Sequence, residues 1–185
     1  MINKNLIEAL LFSTPEPLTQ VKLNQIIPDE NVDLREIVDE INLEYEKFGK
    51  ALFIEEIGGG FQILTKPEYH YYIQRLYNKS KKFQLSRPAM EALSIIAYRQ
   101  PISKVEVESI RGVNCDSVVK SLMERELITI KGREEGLGRA LLYGTTQHFL
   151  EAFGLNRISD LPKLKELSEL MDDGQTPTEV LDASE

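Results

Sequence analysis

The chain has 185 residues, a net charge of -8, 42% hydrophobic and 28% charged side chains, which is the balance of a soluble globular protein of one or two domains. No apolar run approaches the roughly 18 residues of a membrane span, and the single cysteine, Cys115, excludes an intrachain disulfide and fits a reducing cytosol. Residues 1–85 carry 10 basic and 13 acidic side chains, 86–155 carry 9 of each, and 156–185 carry 3 and 8. No segment therefore has the concentrated Lys and Arg that nucleic-acid affinity depends on.

The opening MINKNLIEALLFSTPEP has Glu8 inside its apolar part and no small-residue cleavage site, so it reads as a helix rather than a signal peptide. Leu6, Ile7, Leu10 and Leu11 give that helix its spacing. Past Pro15 and Pro17, Leu18-Thr19 opens a short helix with Val21, Leu23, Ile26 and Ile27, ended by Pro28. Asp33, with Glu36 three residues on, starts a third helix whose apolar positions are Leu34, Ile37, Val38, Ile41, Tyr45 and Phe48. The period then changes: Ala51 to Ile57 and Phe61 to Thr65 read as strands joined by Gly58-Gly59-Gly60. A helix starting near Pro67 sets Tyr69, Tyr72, Ile73 and Leu76 on one face, and a Lys-rich stretch leads to a linker at 81–85.

The second half repeats the plan. Ser86-Arg87-Pro88 starts a helix that sends Ala89, Leu93, Ile96 and Ala97 to a core. Pro101-Ile102-Ser103 opens a short helix with Val105, Val107 and Ile110, and Ser103 with Glu106 forms a capping box. After a turn at Arg111-Gly112-Val113-Asn114 comes a helix with Val118, Val119, Leu122 and Met123. Strands at Leu127 to Ile130 and Ala140 to Tyr143 flank a glycine-punctuated loop, and a last helix from Thr146 carries Phe149, Leu150 and Phe153. Residues 17–26 align without gaps on 101–110, and Glu8-Ala9-Leu10 matches Glu91-Ala92-Leu93 with a one-residue offset. This is a duplication. Three helices followed by a hairpin make a winged helix, so the expected fold is α+β, mainly helical, with two tandem winged-helix domains, helix-turn-helix plus β-hairpin wing.

No constellation for catalysis is evident. His70 and His148 are separated and read as structural, and with one cysteine no four-ligand metal site can be assembled. Gly58-Gly59-Gly60 precedes a strand rather than a helix N-terminus, so it is no phosphate cradle. The third helix of each half mixes few cations with many acids: Arg35 and Lys47 against Glu36, Asp39, Glu40, Glu44 and Glu46, then Lys120 and Arg125 against Asp116 and Glu124. Such helices suit a phosphate backbone poorly. A winged-helix DNA-binding transcriptional regulator is thus the alternative reading, and a protein-binding module the favoured one.

The stretch Ile95-Ile96-Ala97-Tyr98-Arg99-Gln100-Pro101-Ile102-Ser103-Lys104, with Ile110 to Asn114, Gly138 to Thr146, Phe149-Leu150 and Phe153-Gly154-Leu155, closely resembles the bacterial segregation and condensation protein B family. The resemblance covers about residues 1–164. It implies a non-enzymatic accessory subunit of a condensin-like complex, cytoplasmic and associated with the nucleoid, with no cofactor. It further implies homodimerisation mainly through domain 1 (residues 1–80). Domain 2 (residues 86–160) would bind the kleisin, segregation and condensation protein A, which bridges the ATPase heads of the structural maintenance of chromosomes protein. DNA contact is expected to be weak or indirect. Within the best-matched motifs, Arg111, Arg139, Tyr143 and Phe149 are the candidate partner-binding residues. Residues 161–185 are expected to be an acidic tail, disordered from about 172.

Overall fold

The computed structural model describes residues 4–28, 32–76, 85–135 and 138–163. The expected linker, apart from Leu85, and the acidic tail from 164 onward lie outside these residues.

The first unit runs α1 (Lys4–Ser13), α2 (Gln20–Ile26), α3 (Leu34–Lys47), β1 (Leu52–Ile57), β2 (Gly60–Thr65) and α4 (His70–Leu76), the last preceded by a 3-10 turn at Pro67–Tyr69. Thr19 caps α2 by accepting from the Lys22 backbone N–H, and the Asp33 carboxylate caps α3 through the N–H groups of Arg35 and Glu36. Gly58 and Gly59 both have positive φ, +61° and +74°, so β1 and β2 close with the tight turn that suits the twist of a hairpin. Ile7, Leu11, Leu18, Leu23, Leu34, Val38, Ile41, Tyr45 and Ile54 form one core. Asn42 ties α3 to the hairpin: its amide accepts from the Ile54 N–H and donates to the Ile54 carbonyl, both at 2.8 Å.

The second unit runs α5 (Arg87–Arg99), β3 (Ile102–Ser103), α6 (Lys104–Arg111), α7 (Asp116–Glu124), β4 (Ile128–Arg133), β5 (Leu141–Thr145) and α8 (Gln147–Ala152). Ser86 and Thr146 cap α5 and α8. The sheet order is β3-β5-β4, antiparallel throughout. Leu93, Ile96, Val107, Cys115, Leu122 and Ile128 lie at the centre of a second core, with Leu85 packed on its edge. Each unit therefore presents three helices and a two-stranded wing, and each is a winged helix.

The duplication is visible at atomic level. Leu18 bridges Phe61 of the first wing, with paired backbone bonds of 2.8 and 2.9 Å. Its counterpart Ile102 pairs with Tyr143 of the second. Thr19 and Ser103 both cap the next helix. Leu23 and Val107 are fully buried, whereas Val21 and Val105 are 68% and 65% exposed. The upstream match is looser, because Leu93 is buried and Leu10 only partly so.

One expectation needs correction. Leu18 and Ile102 do not open helices; Leu18 makes an isolated bridge to the first wing, and Ile102 belongs to the short strand β3 beside the second. Val105 and Ile110 are exposed because a helix of two turns buries only one stripe, and Val107 defines it. Phe48 is the C-cap of α3 and 65% exposed, and Met123 likewise lies at the surface. Tyr72, Ile73 and Leu76 lie on α4, with Tyr69 in the 3-10 turn before it, and no residue of α4 is buried.

Candidate protein-docking groove

The second helix-turn-helix fixes the walls of a groove. Glu106 accepts from both the N–H and the hydroxyl of Ser103, at 2.9 and 2.8 Å, which anchors the start of α6. Those bonds hold its carboxyl below the usual carboxylate range, the backbone bond contributing most. Glu108, two residues on, accepts from the Cys115 N–H at 2.9 Å and so sets where α7 begins. On the far side, the Gln100 carbonyl accepts from the Thr145 N–H at 2.7 Å and its amide donates to the Thr145 hydroxyl at 2.9 Å. This holds β5 against the end of α5.

Between α6, α7 and β5 lies a groove of about 710 Å³. Val105, Val119, Met123, Leu141 and Tyr143 give it an apolar lining, with Lys104, Asp116, Lys120 and Glu124 at its edges. The charges are paired. Lys104 and Asp116 form an ion pair that raises the lysine pKa and, with help from Asn114, lowers that of the aspartate. Lys120 lies 3.8 Å from Glu124. On α3 of the first unit, Arg35 is likewise paired with Glu56. Arg35 and Lys120, on the helices that would enter a DNA groove, are thus already matched by acids, and phosphate neutralisation would have to break those pairs.

The four candidate residues are not brought together. Tyr143 is 8% exposed and lines the groove as part of the core. Arg139 is exposed at the wing, next to the lining residue Ala140, with φ of +39°. Phe149 is buried in the second core, its ring 4.7 Å from that of Phe153. Arg111 ends α6, its side chain only 7% exposed, bonded to Cys115 and Glu91. Sequence reasoning missed Val105 and Met123 as lining residues. The signal was available for Val105: two positions before the core residue Val107, it lies about 200° round the helix.

His148 Nδ1 is 3.9 Å from Glu151, and His70 bonds Gln74. Among the described residues no group of three or more His, Cys, Asp or Glu could hold a metal ion, and no helix is long and apolar enough to cross a membrane.

Two winged helices in one chain, each built on the same capped helix-turn-helix, define a tandem winged-helix protein. Its residues 5–164 match the model of the family described as segregation and condensation complex subunit ScpB. The chain belongs to that family, whose business is chromosome segregation and condensation. It is 49% identical to segregation and condensation protein B of Desulforamulus reducens over 88% of this chain and 90% of the relative. Among solved structures, it is similar to a conserved hypothetical protein from Chlorobium tepidum, at 37% identity over 82% of this chain and 98% of that one, with a TM-score of 0.38. ScpB from Mycobacterium tuberculosis is 29% identical over 82% of this chain and 94% of that one, with a TM-score of 0.39.

Proposed function

We propose that this chain is a non-enzymatic subunit of the bacterial chromosome condensation and segregation complex. In this reading it homodimerises through domain 1, residues 1–80. Domain 2, residues 86–160, holds a segment of the kleisin, segregation and condensation protein A. Through that kleisin it meets the ATPase heads of the structural maintenance of chromosomes protein, and ATP chemistry stays with that partner. Family membership supports the assignment to the complex. The observation that carries the docking surface is the α6–α7–β5 groove: an apolar lining with a rim of internally paired charges suits a largely apolar peptide segment.

Arg139 and Tyr143 belong to this surface by position. Arg111 and Phe149 act on it through the fold, because both are buried. The test is calorimetric titration with the central segment of the kleisin. Val105→Glu, Met123→Glu and Arg139→Glu alter exposed side chains, so each variant should melt as the parent does. Binding should weaken at least tenfold for the first two. Parental affinity in all three, with parental melting, places the kleisin surface elsewhere.

The regulator alternative predicts tight, sequence-specific DNA binding at physiological salt. With Lys104 and Lys120 paired to acids, the isolated protein is expected to bind DNA weakly and to lose that binding as salt rises. Fluorescence anisotropy with duplex DNA at several salt concentrations distinguishes the two.

A further inference from the structure

The tip of the first wing does not end in solvent. Gly58 donates its N–H to the Leu155 carbonyl at 2.9 Å, and its own carbonyl accepts from Gln147 Nε2 at 2.5 Å. Gly59 donates to Asn156 Oδ1 at 2.6 Å. Asn156 also helps to hold the carboxyl of Glu56 below its ordinary range, after Arg35 of α3, with which Glu56 is paired. The turn of one winged helix is thus held by α8 and the residues that follow it in the other. Each unit has its own buried core, so these bonds are not needed to build either one.

We propose that the Gly58-Gly59 turn is a latch between the two winged helices, which fixes the direction in which the α6–α7–β5 groove faces relative to the first unit. Its release lets the second unit reorient while both folds persist. The two glycines differ in a way that makes this testable. Both have positive φ, so both favour Gly or Asn for the same backbone reason. A β-carbon on Gly59 meets nothing within 4 Å, whereas one on Gly58 collides with the Gln147 amide and comes 3.3 Å from Glu151 Cγ. A side chain at 58 therefore forces Gln147 off the Gly58 carbonyl and pushes the turn from α8. A side chain at 59 points into open space.

The experiment is a spin-label distance measurement on the full chain, with labels on exposed positions in the two units through Glu46→Cys and Ser117→Cys. The native Cys115 is buried and stays unlabelled. Labelled protein is diluted with unlabelled protein so that only pairs within one chain are read. The parent should give one narrow distance distribution. Gly58→Asn and Asn156→Ala should lose that single peak in favour of a broad distribution, with two-unit folding verified by circular dichroism. Gly59→Asn should keep the narrow peak, because Asn tolerates the turn and its N–H remains. A broad distribution in the parent overturns the latch, and so does a narrow one in both Gly58→Asn and Asn156→Ala. Equal broadening by Gly58→Asn and Gly59→Asn with Asn156→Ala unchanged also overturns it, since the effect is then strain in the turn.

Discussion

Arg111 Nη1 stands 3.1 Å from the Sγ of Cys115, while its Nη2 lies 3.2 Å from a carboxylate oxygen of Glu91. The last residue of α6 thereby ties that helix to α5 and to the start of α7. Its Nε has no protein partner, and Glu108 also faces this corner through its bond to the Cys115 N–H. Arg111→Glu removes both bonds and sets a carboxylate among carboxylates in a nearly closed space. We expect a stability loss on the order of 2 kcal/mol, read as a lower midpoint in denaturant. Arg111→Lys, which keeps the charge but not the forked geometry, should fall between. A parental midpoint for Arg111→Glu would mean that this corner opens freely to water.

The capping network predicts acid sensitivity with a defined sign. Glu106 is held below its ordinary value of 4.5 by the Ser103 N–H and hydroxyl. Asp116 is lowered mainly by Lys104, and Glu56 mainly by Arg35. A carboxyl with a lowered folded pKa stabilises the fold fully above its unfolded value and loses that contribution as pH falls through the folded one. The melting temperature should therefore hold near neutrality and fall on acidification below about pH 4.5. Glu106→Gln should start lower at pH 7 and show a shallower fall. A pH profile parallel to that of the parent would remove Glu106 from the account.

A strand glycine supplies a third measurement. A β-carbon on Gly144 would come within 2.7 Å of Gln100 Oε1 and 2.8 Å of Lys131 Cγ. The lysine can swing away. Gln100 cannot move without dropping the Thr145 N–H that it accepts at 2.7 Å. Gly144→Ala should cost about 1–3 kcal/mol and, by loosening β5, should weaken kleisin binding as well. Thermal melting of the variant beside Gly132→Ala, whose β-carbon meets nothing within 4 Å, separates crowding from the loss of a glycine.

Much of this architecture is readable in the sequence because it is local. Asp33, Ser86, Ser103 and Thr146 announce helix starts by chemistry that acts within three residues. The glycine run at 58–60 announces a hairpin, and the gapless match of 17–26 with 101–110 announces two copies of one unit. What escaped depends on distant partners. Leu18 and Ile102 pair with the wings only because Phe61 and Tyr143 arrive beside them from far along the chain. Arg111 reads as a surface charge until α5 brings Glu91 against it. Val105 and Met123 line a groove only because α6, α7 and β5 come together around them. The wing contact with Leu155 and Asn156 has no sequence signature, since main-chain groups carry most of it.

The dimer proposed for domain 1 has a specific place to form. The stripe of Tyr69, Tyr72, Ile73 and Leu76 follows the three-and-four spacing of an amphipathic helix, yet no residue of α4 is buried and only Ile73 is half-buried. Tyr72 and Leu76 are 69% and 77% exposed. A helix of seven residues is too short to persist in water on its own, so a second copy covering this stripe would stabilise α4 as well as join the chains. Large apolar anchors at the centre of such a contact are each worth about 2 kcal/mol or more, or roughly thirtyfold in dissociation constant. Tyr72→Asp and Leu76→Asp should each shift the dimer toward monomer by at least that factor, measured by light scattering over a concentration series. Phe48→Asp, an exposed aromatic at the end of α3, is the control and should leave the dimer intact. A parent that is monomeric at micromolar concentration removes the dimer altogether. A dimer that survives both α4 substitutions and fails with Phe48→Asp moves the interface to the end of α3.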